Sequence, residues 1–119
     1  MQLFSFVPKN ERIVLTEETP EIVLPHKHVC RLKTVDNIGV TMNDLITNTL
    51  RMRPDRVIVG EVRNSLEVKA FVNTLLAGQG KGAIGTFHAK SAKETISRLS
   101  KMDVEKHDLS SIDLIVVQK

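Results

Sequence analysis

Glu61 and His88 are the residues of this 119-residue chain best placed for chemistry. Each follows a short apolar run: Val57-Ile58-Val59 leads through Gly60 into Glu61, and Ala83–Phe87 leads into His88. Open α/β sheets line their ligand crevice with side chains delivered at C-terminal strand tips. Both residues are therefore expected at one edge of one sheet. Glu17, Glu18 and Glu21 add three carboxylates after another β-branched run. Clustered carboxylate oxygens suit Mg²⁺ or its bound waters. Arg51, Arg53 and Arg63 carry charge that would neutralise a phosphate. A carboxylate that polarises water and an imidazole that donates to a γ-phosphate are two of the parts that phosphoryl transfer from ATP requires.

Taken singly, each of these residues also has a structural reading. Gly-Glu after a strand is a common turn, and an isolated His is commonly a satisfied structural one. The three acids suit a solvated loop, and Arg51 and Arg53 before Pro54 would complement a helix C-terminus. Gly78, Gly80 and Gly82 mimic a phosphate-binding loop, but they follow a helical stretch instead of preceding one. A helix cap and tight turn accounts for them better, and G-x-x-x-x-G-K-[ST] does not occur in the chain.

Composition narrows the field. Hydrophobic residues at 41% and charged residues at 26% are values of a globular domain. Aromatics make up 3%, with no Trp or Tyr, so base-stacking platforms are not expected. The formal net charge is +3, and Lys and Arg are scattered, which argues against a nucleic-acid partner. Cys30 is the single cysteine, read as a buried thiol in a reducing compartment. No apolar run approaches the roughly 20 residues of a membrane helix, so a soluble, cytoplasmic chain is expected.

The elements that must position these residues alternate. Strands are predicted over Arg12–Thr16, Val29–Leu32, Val57–Val59, Ala83–Phe87 and Ile112–Val117. Thr41 with Asp44 opens a helix whose apolar face is Met42, Leu45, Ile46, Thr49 and Leu50, closed by Pro54. Asn64 with Glu67 opens the next, with a stripe of Val68, Phe71, Val72, Leu75 and Leu76 and Gly78 as its C′ residue. Ser91 with Glu94 opens a third that buries Ile96 and Leu99. Such strand–helix alternation predicts an α/β fold with a largely parallel sheet.

In order, three segments resemble the motifs of one family. ERIVLTEETPEI is similar to the Asp box of the type II/type IV secretion ATPases, which include pilus-retraction, archaellum and conjugation motors. LRMRPDRVIVGEVR resembles their atypical Walker B, with Gly60 where other P-loop ATPases keep an Mg²⁺-binding Asp. GTFHAKSAKETISRL resembles their His box, with Thr86, His88 and Arg98 at its marker positions. The wording of LPHKH and IDLIVVQ leans towards archaeal members. Glu18 departs from the family's usual Asp, and Asn64 from an Asp after the arginine.

The resemblance implies a RecA-like P-loop NTPase core, here a single partial domain over residues 1–119, truncated at both ends and lacking Walker A. Met1 would then fall inside the helix after that loop, and the missing strand would leave an open apolar edge beside Val57–Val59. It implies Glu61, His88 and Glu17 as catalytic groups and Thr86, Arg63, Arg51 and Arg98 as phosphate-binding ones. Glu18 and Glu21 would be ligands of Mg²⁺, with ATP as the nucleotide. The expected partners are a homo-hexamer or full-length ATPase subunits, and a membrane platform protein at the inner face of the cell membrane. The alternative is a catalytically inactive paralogue or interaction module of the same fold.

Overall fold

A computed structural model describes residues 5–78 and 81–119. Its centre is a four-stranded, all-parallel sheet built from β1 (Ile13–Glu17), β2 (Val29–Lys33), β3 (Arg56–Val59) and β4 (Ala83–Gly85), in the order β2-β1-β3-β4. Thr16 pairs with Val59, and Val59 with Gly85. The C-terminal tips of β1, β3 and β4 therefore line up, and Glu17, Gly60 and Thr86 come next to one another along one edge.

The helices are α1 (Met42–Thr49), α2 (Ser65–Leu76) and α3 (Ala92–Ser100). Each begins at the cap read from sequence: Thr41, Asn64 and Ser91 accept the backbone N–H of Asp44, Glu67 and Glu94. Each cap satisfies an amide that the first turn would otherwise leave orphaned. Gly78 follows α2 with φ +62°, a left-handed stop that glycine adopts without strain.

Alternation along β3 divides the interior. Val57 and Val59 face the helices, packing with Met42, Ile46, Val68 and Leu99. Ile58 faces the other way, with Ile13 and Leu15, under Val7, Ile22 and Leu24 from irregular chain.

Four expectations need correction. Val57–Val59 has no open edge, because β3 is bonded to β1 on one side and β4 on the other. Ile112–Val117 is not a strand. Leu114 and Val116 are exposed, and no described strand pairs with this run, and a β-branched run becomes a strand through its neighbours. Leu76 is exposed at the end of α2, where Ala70 and Thr74 take buried places instead. Ile96 is half out of the interior, while Leu99 is buried. Residues 1–4 and Gly80 lie outside the described residues.

Candidate functional site

Gly60 sets the geometry. Its N–H donates to the Thr16 carbonyl at 2.7 Å, so β3 meets β1 closely at this point. A Cβ at position 60 would stand 2.9 Å from that same oxygen. The Thr86 hydroxyl donates to the Gly60 carbonyl, and the Val62 N–H donates to the Thr86 carbonyl at 2.9 Å. Thr86 thus stitches the tip of β4 to the turn that carries Glu61.

Beyond that turn the side chains of Glu61, Arg63, Glu18 and His88 converge. One Glu61 oxygen accepts from Arg63 Nε at 2.8 Å and Nη2 at 2.6 Å. The other lies 2.9 Å from His88 Nε2. Arg63 Nη1 donates to Glu18 at 2.7 Å, so one guanidinium bridges carboxylates from the tips of two strands. The Arg63 hydrogen bonds hold the Glu61 carboxyl below the usual range, with His88 adding a smaller pull in the same direction. Glu61 in turn raises the Arg63 guanidinium above its ordinary value. The group is open to water: the side chains of His88 and Arg63 are 90% and 52% exposed.

Glu17 is spent differently. Its carboxylate is 6% exposed, pairs with Arg31 Nη1 at 3.0 Å, and accepts the N–H groups of Glu21 and Ile22 at 2.9 and 3.0 Å. It pins the loop that presents Glu18. Alternation along the chain turns Glu17 inward and Glu18 outward, although sequence reading grouped them. Glu21 is exposed, and Glu17, Glu18, Glu21, Glu61 and Arg63 line one cleft of about 160 Å³.

The remaining candidates separate. Arg98 donates to the His88 carbonyl and stacks on Phe87, its guanidinium carbon 4.9 Å from the ring centroid. It therefore fixes the backbone that presents His88. Arg51 and Arg53 lie at the opposite, N-terminal edge of the sheet, where Arg12 donates to the carbonyls of Met52 and Arg53. They are not part of the Glu61 group.

Sequence reading missed Arg31, the partner of Glu17. The β1–β2 register pairs Glu17 with Lys33, and Arg31, two residues back, shares that face. Only the register carries that signal. Asn64 was read as a cap, and the same turn does more: Glu67 accepts the Arg63 N–H at 2.7 Å, fixing the backbone of the bridging arginine.

A sequence model described as "Type II/IV secretion system protein" matches residues 1–119. The chain belongs to this family. Among its curated relatives, the uncharacterized protein MJ1287 of Methanocaldococcus jannaschii is 38% identical over 95% of this chain and 43% of its own length. The type IV secretion system protein VirB11 of Bartonella quintana is 30% identical over 96% of this chain and 36% of its own. The crystal structure of the VirB11 ATPase from the Brucella suis type IV secretion system, in complex with sulphate, matches with a TM-score of 0.73 and 31% identity, over 85% of this chain and 29% of that one. The fold of this family member is accordingly RecA-like. The chain spans less than half the length of each of these proteins. No helix among the described residues is long and apolar enough to cross a membrane.

Proposed function

We propose that this chain is the part of a secretion or pilus-assembly ATPase motor that carries its water-activating and phosphate-sensing residues. The observation that carries the reading is the meeting of Glu61, Arg63, Glu18 and His88 at the C-terminal edge of a parallel sheet. On this reading the three motifs are an Asp box, an atypical Walker B and a His box. Glu61, kept ionised, accepts a proton from or orients the attacking water. His88, outermost in the group, donates to the γ-phosphate, and Arg63 offers a planar fork to the same anion. Thr86 and Arg98 hold the turn and the strand tip that present them. Glu17 acts through the loop it pins.

The donor set also fits Mg²⁺. Among the described residues no three side chains form a metal cage, and Mg²⁺ is usually held by one or two carboxylates together with phosphate oxygens and water. Glu18 and Glu21, oxygen donors beside the cleft, are the residues that would hold the ion or its waters. When bound, it would neutralise charge on the β- and γ-phosphates.

The motor would act as a homo-hexamer, or with full-length ATPase subunits, against a membrane platform protein at the cytoplasmic face. The phosphate cradle would come from a part of the family's ATPases that this chain does not span. The test is phosphate release by a protein that joins this chain to a family phosphate-loop segment. There, Glu61→Gln is expected to lower turnover by about 10²–10⁴-fold while ATP still binds. Unchanged turnover would remove Glu61 from the chemistry.

A further inference from the structure

Every strong acceptor direction on one Glu61 oxygen is taken by Arg63, and His88 occupies the other oxygen. A carboxylate so engaged is badly placed to receive a proton from water. The group that engages it is itself the best phosphate ligand in the cleft. Guanidinium forks bind carboxylates and phosphates with the same bidentate geometry, so the two anions compete for one set of N–H donors. Arg63 is also half exposed, and its backbone is fixed independently through Glu67, so its side chain can change partners without unfolding the turn.

We propose that Arg63 is a positioning residue that couples phosphate binding to the release of Glu61. In the closed arrangement its fork lies over Glu61 and Glu18. A polyphosphate chain arriving in the cleft takes the fork and draws His88 outward, and both Glu61 oxygens become free to face water. The general base is thereby withheld until the substrate's own charge displaces its lock. This rests on the reading of Glu61 as the water-activating group, but it is tested without any hydrolysis, so each can fail alone.

The probe is inorganic tripolyphosphate added to this chain without divalent cations, followed by the NMR signals of the Arg63 Nε–H and the His88 ring. Both signals are expected to move together over one binding curve. Glu61→Gln weakens the closed state in advance, and binding that no longer draws on a minor open population tightens, here by roughly tenfold. Asp36→Asn removes an equal charge from the neighbouring cleft that Glu18 also lines, at a residue outside the Glu61 group; its binding curve is expected to match the unmutated chain. Arg63→Gln is expected to abolish binding. The proposal is overturned if tripolyphosphate leaves the Arg63 Nε–H unmoved. It is equally overturned if Asp36→Asn tightens binding as much as Glu61→Gln, because bulk charge would then explain both.

Discussion

The two edges of the sheet use similar ingredients, a carboxylate between an arginine and a second nitrogen-bearing side chain, and put them in opposite surroundings. At the N-terminal edge Glu11 is 3% exposed and holds Arg56 Nε at 2.7 Å and Lys81 Nζ at 3.1 Å. Arg56 begins β3, and Lys81 lies just ahead of β4, so this cluster fastens the strand starts together. At the C-terminal edge Glu61 lies between Arg63 and His88, both in contact with water. In each case the arginine is the main reason the carboxyl sits below its usual range. Charge alone does not separate a fastening from a working group. On the proposed reading, what separates them is whether a solvent-borne anion can reach the cation and take it over: Arg63 is half exposed, while Glu11 is buried.

The largest expected effect that would test this contrast is the loss of turnover in Glu61→Gln already described, which should come without loss of folding. Glu17→Ala should do the reverse. It strips the acceptor from two backbone N–H groups and from Arg31, and should cost about 1–3 kcal/mol in a denaturant titration. A Glu17→Ala protein as stable as the parent would move Glu17 out of the scaffold and back among the reactive groups.

Glu11 tests the fastened edge through pH. Its pKa is lowered on folding, so its contribution is complete above the ordinary carboxyl value of about 4.3 and fades as pH falls below it. Melting temperature followed through this range should fall less steeply in Glu11→Gln than in the parent. An identical acid limb would mean that the fastening carries no stability. The smallest effect belongs to Glu18→Gln, whose half-exposed pairing with Arg63 should change stability by less than about 1 kcal/mol. A larger loss in the same denaturant titration would erase the difference between the two edges.

How much of this was legible in the sequence depends on the range of the interaction. The three helix starts were legible because a cap and the amide it accepts lie three residues apart. Gly78 was legible as a stop, and the apolar strands predicted the parallel sheet whose tips carry Glu61 and His88. The bridge from Arg63 to Glu18 was not, since it joins residues 45 apart through a strand pairing that no local pattern encodes. Arg51 and Arg53 were grouped with Glu61 by type, yet β3 runs between them and the site and carries them to the far edge. Ile112–Val117 has strand composition, but composition does not supply a partner.

Position 60 shows how packing can limit what mutation is able to explore. With the Thr16 carbonyl 2.9 Å from where a Cβ would stand, even alanine forces β1 and β3 apart, and an aspartate would arrive with its charge against a carbonyl oxygen. A lineage carrying this close strand contact cannot acquire an acid there by a single codon change and keep the contact. A carboxylate near this contact has to come from the next residue along or from the neighbouring strand tip, where Glu61 and Glu18 stand.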